Sequence, residues 1–444
     1  MALLTKDQAF ALMKKVLSYS KADECEVNLS SNENGNIRYA INAVSTSGKT
    51  VQSSLVVASA YGKKLGIATI NEFDDASLEK VVRRAEELAQ LAPENPEYVP
   101  LLGPQKYAEP NMFVAATAAI TPKQRADFVA QSVAIAKESK AISAGFLEDS
   151  SGFSAIMNSK GLFAYSTSTN VNYSVTVRTE DGKGSGYAIR GFNDVSKLDT
   201  ELATQIATEK AVKSATAKAI EPGKYTVILE PAAVAVLMEN LFFSMDARQA
   251  DEGRSFLSKA GGTTRLGEKL VDERVNVYSD PLNPDLPTNT WNGDGRPQEK
   301  VSWIEKGVVR NMTYSRYWAE KKGVKAIPGP DAAIMEGGTK TLEELIAGTK
   351  KGVLVTKLWY IRNVDPQTLL LTGLTRDGTF YIENGKIQYP VKNFRFNESP
   401  IIMLNNLEEL GKVERTVSTE SNINYLMPPL KVRDFTFSSL SDAV

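Results

Sequence analysis

Residues 352–400 read GVLVTKLWYIRNVDPQTLLLTGLTRDGTFYIENGKIQYPVKNFRFNESP. Apolar and β-branched runs, clearest over 353–361 and 379–382, are cut at short intervals by Gly, Pro, Asn and Asp. This spacing predicts short strands joined by turns, and hence a β-rich C-terminal domain, a sandwich or a folded barrel. The pattern reaches back to about residue 254. Before it, 225–229 reads as a buried strand and 234–243, VAVLMENLFF, as an apolar helix, with Glu221-Pro222-Gly223 marking the boundary.

The chain N-terminal to that boundary mixes helices and strands. Thr5 and Gln8 have capping-box spacing, and Phe10, Met13 and Leu17 then recur along one helical face. Alternating segments follow near 24–31, 36–43, 50–60 and 64–71, punctuated by Gly35, Gly48 and Gly62. A helix over 75–91 turns Leu78, Val81, Val82, Ala85 and Leu88 inward, and a Pro-rich stretch over 93–110 closes the unit. Thr121-Pro122-Lys123-Gln124 opens a second unit, with strands expected at 142–149, 152–159, 162–170 and 171–179, a turn at Lys160-Gly161, and a helix over 197–217. Helix, four strands, helix is thus expected twice, by duplication or by independent origin. The predicted class is α+β: N-terminal helix and antiparallel-sheet units over 1–110 and 111–220, then a β-rich domain over 221–444.

Composition narrows the chemistry. The 444 residues include no histidine and one cysteine, Cys25, so the usual zinc ligands and near-neutral proton carriers are missing. Cys25 alternates with Val27 and Leu29, as expected for a strand residue rather than a nucleophile. Lys+Arg 52 against Asp+Glu 53 gives a net charge of -1 with the basic residues scattered, which predicts no nucleic-acid partner. The N-terminus reads as a helix rather than a secretion signal, and no apolar run approaches the roughly 18 residues of a membrane span. A cytoplasmic protein with no membrane partner is expected.

Other candidate chemistry meets plainer readings. Gly182-Lys183-Gly184-Ser185-Gly186 lacks phosphate-loop spacing and reads as a flexible hairpin. Glu239, Asp246, Asp251 and Glu252 crowd into fourteen residues and could form an oxygen-rich cation site or an acid pair, or else a helix with a solvated loop. Trp359, Tyr360, Arg362 and Asp365 offer aromatic faces beside charge: a candidate peptide groove, or a core strand followed by an Arg-Asp pair. No Ser-x-x-Lys stands where an acyl-enzyme would need it.

The sequence resembles a known family at its C-terminal end. Gly337-Gly338 with the run 342–346 (LEELI), 352–355 leading to Trp359-Tyr360-Ile361-Arg362, the run 375–380 (TRDGTF), 382–387 (IENGKI), Pro390-Val391 and 393–400 (NFRFNESP) are similar to the TldD/PmbA family. The N-terminal strand-turn-strand pattern and the helix ending near Ala89 extend the likeness over nearly the whole chain. The resemblance implies a peptidase framework, once described as a modulator of DNA gyrase. TldD-type chains of that family carry an H-E-x-x-x-H helix and a late cysteine that together hold a metal. Here the matching helix carries Met238, Glu239 and Phe243, so only the glutamate at the general-base position remains, and the cysteine loop corresponds to 416–421, which has no cysteine.

Met238 and Phe243 offer at most one weak thioether where zinc catalysis needs about three protein ligands. The resemblance therefore implies a chain of the PmbA/TldE branch that binds no cofactor itself. It would join a histidine-bearing TldD-type subunit that holds zinc or a similar metal, and would help to enclose small or unfolded peptides. Two alternatives stay open: a non-enzymatic peptide-binding or regulatory homodimer, and an active hydrolase with an unrecognised carboxylate site.

Overall fold

A computed structural model describes residues 3–441. The N-terminal half is built on one six-stranded antiparallel sheet of β1 (Glu24–Ala40), β2 (Ala43–Tyr61), β3 (Lys64–Ile70), β4 (Ala141–Asn158), β5 (Phe163–Thr179) and β6 (Ser185–Phe192). Its order is β3-β2-β1-β4-β5-β6, so each expected unit supplies three adjacent strands and the units meet at β1 and β4. Each set of three strands is bracketed by helices: α1 (Lys6–Tyr19) and α2 (Asp75–Leu91) for the first, α3 (Pro122–Glu138) and α4 (Thr200–Ser214) for the second. The Thr5 and Thr121 capping boxes are both formed.

The sequence suggested four strands per unit, and the structure has three. Two of the glycines read as breaks, Gly35 and Gly48, lie inside long strands: Gly35 pairs with Lys49 on one side and Asp149 on the other. A side chain at Gly35 would meet the Arg125 guanidinium, Nη1 lying 2.1 Å from the Cβ position. The glycine thereby leaves room for a buried Arg125–Asp149 ion pair of 2.7 Å. The true reversals fall at Ile41-Asn42, both with positive φ, at Gly62, and at Lys160-Gly161 as expected. On α1 the buried face is Ala9, Met13 and Val16, whereas Phe10 is 41% exposed and meets Phe163 edge-on at 5.0 Å.

The segment 182–186 is likewise more than a flexible hairpin. Gly184 and Gly186 lead into β6 and press against α4, whose Ala203, Ala207 and Ala211 form a stripe of small buried residues. A Cβ on Gly186 would sit 2.0 Å from the Ala207 carbonyl oxygen. The opposite sheet edge repeats the device: Gly66 of β3 abuts Ala85 and Ala89 of α2.

The C-terminal half contains a closed barrel. Strands β7 (Gly223–Leu229), β8 (Lys351–Asp365), β9 (Leu370–Glu383), β10 (Lys386–Pro390), β11 (Phe394–Glu398) and β12 (Leu430–Leu440) run in the order β8-β7-β12-β11-β9-β10, and β8 also pairs with β9. That pairing closes five strands and leaves β10 outside. A second sheet of short strands includes Val277–Ser279, Val301–Glu305, Glu414–Val417 and Asn424–Met427. Helix α5 (Pro231–Phe243) lies in the core shared by barrel and second sheet, which is why it is apolar on nearly every side. No helix among the described residues is long and apolar enough to cross a membrane.

Candidate functional site

Helix α5 leaves β7 through Glu230 and Pro231, and proline at its first position suits a start where the backbone N–H has no helical partner. Met238 is fully buried in the central core, whereas Phe243, five residues on, is 67% exposed. A regular helix turns through roughly 140° over five residues, so the two side chains leave it in different directions. Between them Glu239 points inward and is 3% exposed.

Glu239 has one partner. The Ser418 hydroxyl donates to its Oε2, while Oε1 is buried without a hydrogen bond among the described residues. Ser418 is itself fully buried and lies between the short strands 414–417 and 424–427. This is the loop that the family resemblance sets against the late cysteine of TldD-type chains. Nearby, Phe242 stacks on Tyr425 with ring centroids 6.4 Å apart, and burial, with the Glu239 charge second, pushes the Tyr425 phenol well above its ordinary pKa.

A thioether sunk in the core, a phenyl ring turned to solvent, and one carboxylate already bound to a hydroxyl do not fit a catalytic zinc, which needs several converging N, O or S donors. Among the described residues there is also no group of three or more Asp, Glu or Cys that could hold a metal. The carboxylate cluster suggested by the sequence is dispersed. Asp246 caps a short helix through the Gln249 N–H, Asp251 accepts from Trp318 and pairs with Lys322, and Glu252 pairs with Arg248 and Arg254.

The 418–421 loop also reaches the aromatic segment of β8. Between Trp359 and Arg362 the β8–β9 register slips by one residue, a β-bulge, and Tyr360 adopts a left-handed conformation with φ of 57°. Glu420 holds this bulge: its Oε1 accepts from the Tyr360 N–H at 2.8 Å and the Ile361 N–H at 3.4 Å. The Thr419 hydroxyl donates to the Leu358 carbonyl, and the Glu420 N–H donates to Ser418 Oγ.

On the outer side of the bulge Trp359 and Tyr360 are 38% and 49% exposed. The Arg376 guanidinium lies 4.5 Å over the Trp359 ring and Arg362 lies 3.9 Å over Tyr360. Such stacking orients planar cations beside aromatic faces. Arg362 does not pair with Asp365, whose oxygens accept instead from the Gln367 N–H and the Thr368 hydroxyl. The structure thus joins two candidate sites far apart in sequence, Glu239 and the Trp359-Tyr360-Arg362 cluster. Ser418, Glu420 and Arg376 were not singled out as site residues, although the first two lie in the Ser-Thr-Glu-Ser run at 418–421, whose hydroxyls and carboxylate were the available signal.

A cavity of about 550 Å³ opens nearby, between β6 and α4 on one side and the first turn of α5 on the other. In its wall Glu230 accepts from Lys210 at 2.7 Å and from the Thr356 hydroxyl at 3.0 Å.

Comparison with known proteins assigns the framework. Residues 25–89, 117–218 and 222–439 match, in order, domain 1, the central domain and the C-terminal domain of the PmbA/TldA metallopeptidases. A metalloprotease of Methanothermobacter thermautotrophicus is 24% identical over 287 residues, 59% of this chain and 61% of that protein. The fold is shared with TldE from Thermococcus kodakarensis, with a TM-score of 0.84 at 19% identity over 97% of this chain and 99% of that one. A candidate modulator of DNA gyrase from Thermotoga maritima gives 0.86 at 18% identity, over 97% and 100%.

Proposed function

This chain belongs to the PmbA/TldD metallopeptidase family, and on that premise we propose that it is the metal-free subunit of a two-chain peptidase acting on small or unfolded peptides. A histidine-bearing TldD-type partner would carry the metal and the cleavage chemistry, while this chain would complete the chamber and help to hold substrate. The observation that carries the reading is the state of α5: Glu239 retained but tied to Ser418, with Met238 buried and Phe243 facing solvent. A framework kept intact around a site that cannot hold zinc fits a division of labour between two chains.

Holding substrate would fall to features this chain does have. The exposed Trp359 and Tyr360, flanked by Arg376 and Arg362, offer stacking faces and cations to a peptide. Sheet edges could add an extended peptide through backbone hydrogen bonds, which selects for unfolded segments over sequence. Co-expression with a TldD-type chain from the same genome tests this. A stable complex that cleaves unfolded peptides is expected.

The exposed Phe243 also favours a second reading, in which the chain pairs with itself and binds peptides without cutting them. A stable self-dimer that forms no complex with any TldD-type chain would select it.

A further inference from the structure

We infer that Glu239 now serves as a positioning residue: through Ser418 it fixes the 418–421 loop, and through Glu420 it sets the left-handed bulge that presents Trp359, Tyr360 and Arg362. The chain of contacts is continuous. Ser418 Oγ donates to Glu239 Oε2 and accepts from the Glu420 N–H at 3.3 Å, and the Glu420 carboxylate accepts the Tyr360 and Ile361 N–H groups. A parallel bond from the Thr419 hydroxyl to the Leu358 carbonyl pins the same loop to the same strand.

Two observations call for such an arrangement. A non-glycine residue at positive φ is strained and persists only where its surroundings enforce it, and here the group bonded to its amide is Glu420. Glu420 is exposed, so it can hold two amides in register only if its own backbone is fixed. The Ser418 anchor in the core supplies that fixity. Burial of Glu239 with one oxygen unpartnered is costly, and a role in shaping a surface explains why a carboxylate remains there without metal ligands around it. The coupling stands on geometry alone. Its consequence for recognition rests on the proposed role of the bulge in holding substrate or partner.

Hydrogen exchange across residues 358–363 tests the coupling in the full-length chain. Glu239→Ala and the milder Ser418→Ala should each speed exchange of the Tyr360 and Ile361 amides by about tenfold, the equivalent of one lost charge-assisted hydrogen bond. Glu239→Gln, which keeps an acceptor for the Ser418 hydroxyl, should stay near wild type, and amides of β5 should not change in any variant. Unchanged protection of Tyr360 and Ile361 in Ser418→Ala would overturn the inference, as would a Glu239→Gln variant as fast as Glu239→Ala. The recognition reading is tested separately by Tyr360→Ala, whose loss of peptide or partner binding does not depend on how exchange behaves.

Discussion

Gly186 shows how one missing side chain sets the spacing of two elements. Its Cα faces the Ala207 carbonyl, and the nearest obstacle to a Cβ is helix backbone rather than a flexible side-chain tip, so the contact cannot be relieved locally. Gly186→Ala is therefore expected to lower stability by about 2 kcal/mol, read as a drop in the denaturation midpoint with an unchanged slope. Gly62→Ala, where nothing lies near the Cβ position, should cost only the strain of its positive φ, about 1 kcal/mol. The sequence flagged Gly35 and Gly186 but gave them the wrong role, whereas Gly62 marks a reversal as read. A glycine in a strand pattern signals equally a turn or a close backbone approach, and only the position of Arg125 beside Gly35, or of α4 beside Gly186, tells which. Glu239 was identified in the sequence through its family position; its partner Ser418 lies 179 residues away, a separation that no local pattern encodes.

Elements in this chain are fastened by short polar clamps as well as by the core. Asp272 and Arg274 form one: Arg274 pairs with Asp272 and donates to the Leu407 and Glu408 carbonyls, tying a surface loop to the short strand Leu407–Leu410 that follows the helix over 400–405. Hydrogen bonds from Arg274 hold the Asp272 carboxyl down at about 2, below its ordinary value near 4. A depressed acid stabilises the fold above its unfolded pKa and loses that contribution as pH falls through the folded one. Asp272→Asn should thus cost about 1 kcal/mol at pH 7 after allowance for solvent screening, with the gap from wild type closing between about pH 4 and pH 2 in urea titrations at stepped pH. A gap that persists undiminished at pH 2 would show that the clamp works by packing alone. Helix α5 and the barrel strands were the elements most legible in advance, since apolar runs bounded by Glu-Pro-Gly and by turn residues leave few other structures. The bulge at Tyr360 was not, because an extra residue in one strand is defined only against its partner strand.

The two halves of the molecule meet through buried charges. Asp377, in the Thr-Arg-Asp-Gly segment of β9, accepts from Ser185 of β6 at 2.6 Å and from Lys357 of β8 at 3.2 Å, while Lys357 lies 3.8 Å over the Tyr187 ring. Asp377→Ala leaves the Lys357 ammonium buried without its counter-charge, and a loss of about 3 kcal/mol is expected, with faster hydrogen exchange in β6 than in β1. Tyr187 also lines the cavity beside α5. On the proposed division of labour, the family's metal chemistry lies outside this chain. The most direct test is to equilibrate the purified chain alone with zinc, remove free metal, and measure bound metal and cleavage of an unfolded peptide with and without chelator. No stoichiometric metal that depends on Glu239 and no chelator-sensitive cleavage are expected; one metal per chain, lost in Glu239→Ala together with chelator-sensitive cleavage, would contradict the proposal.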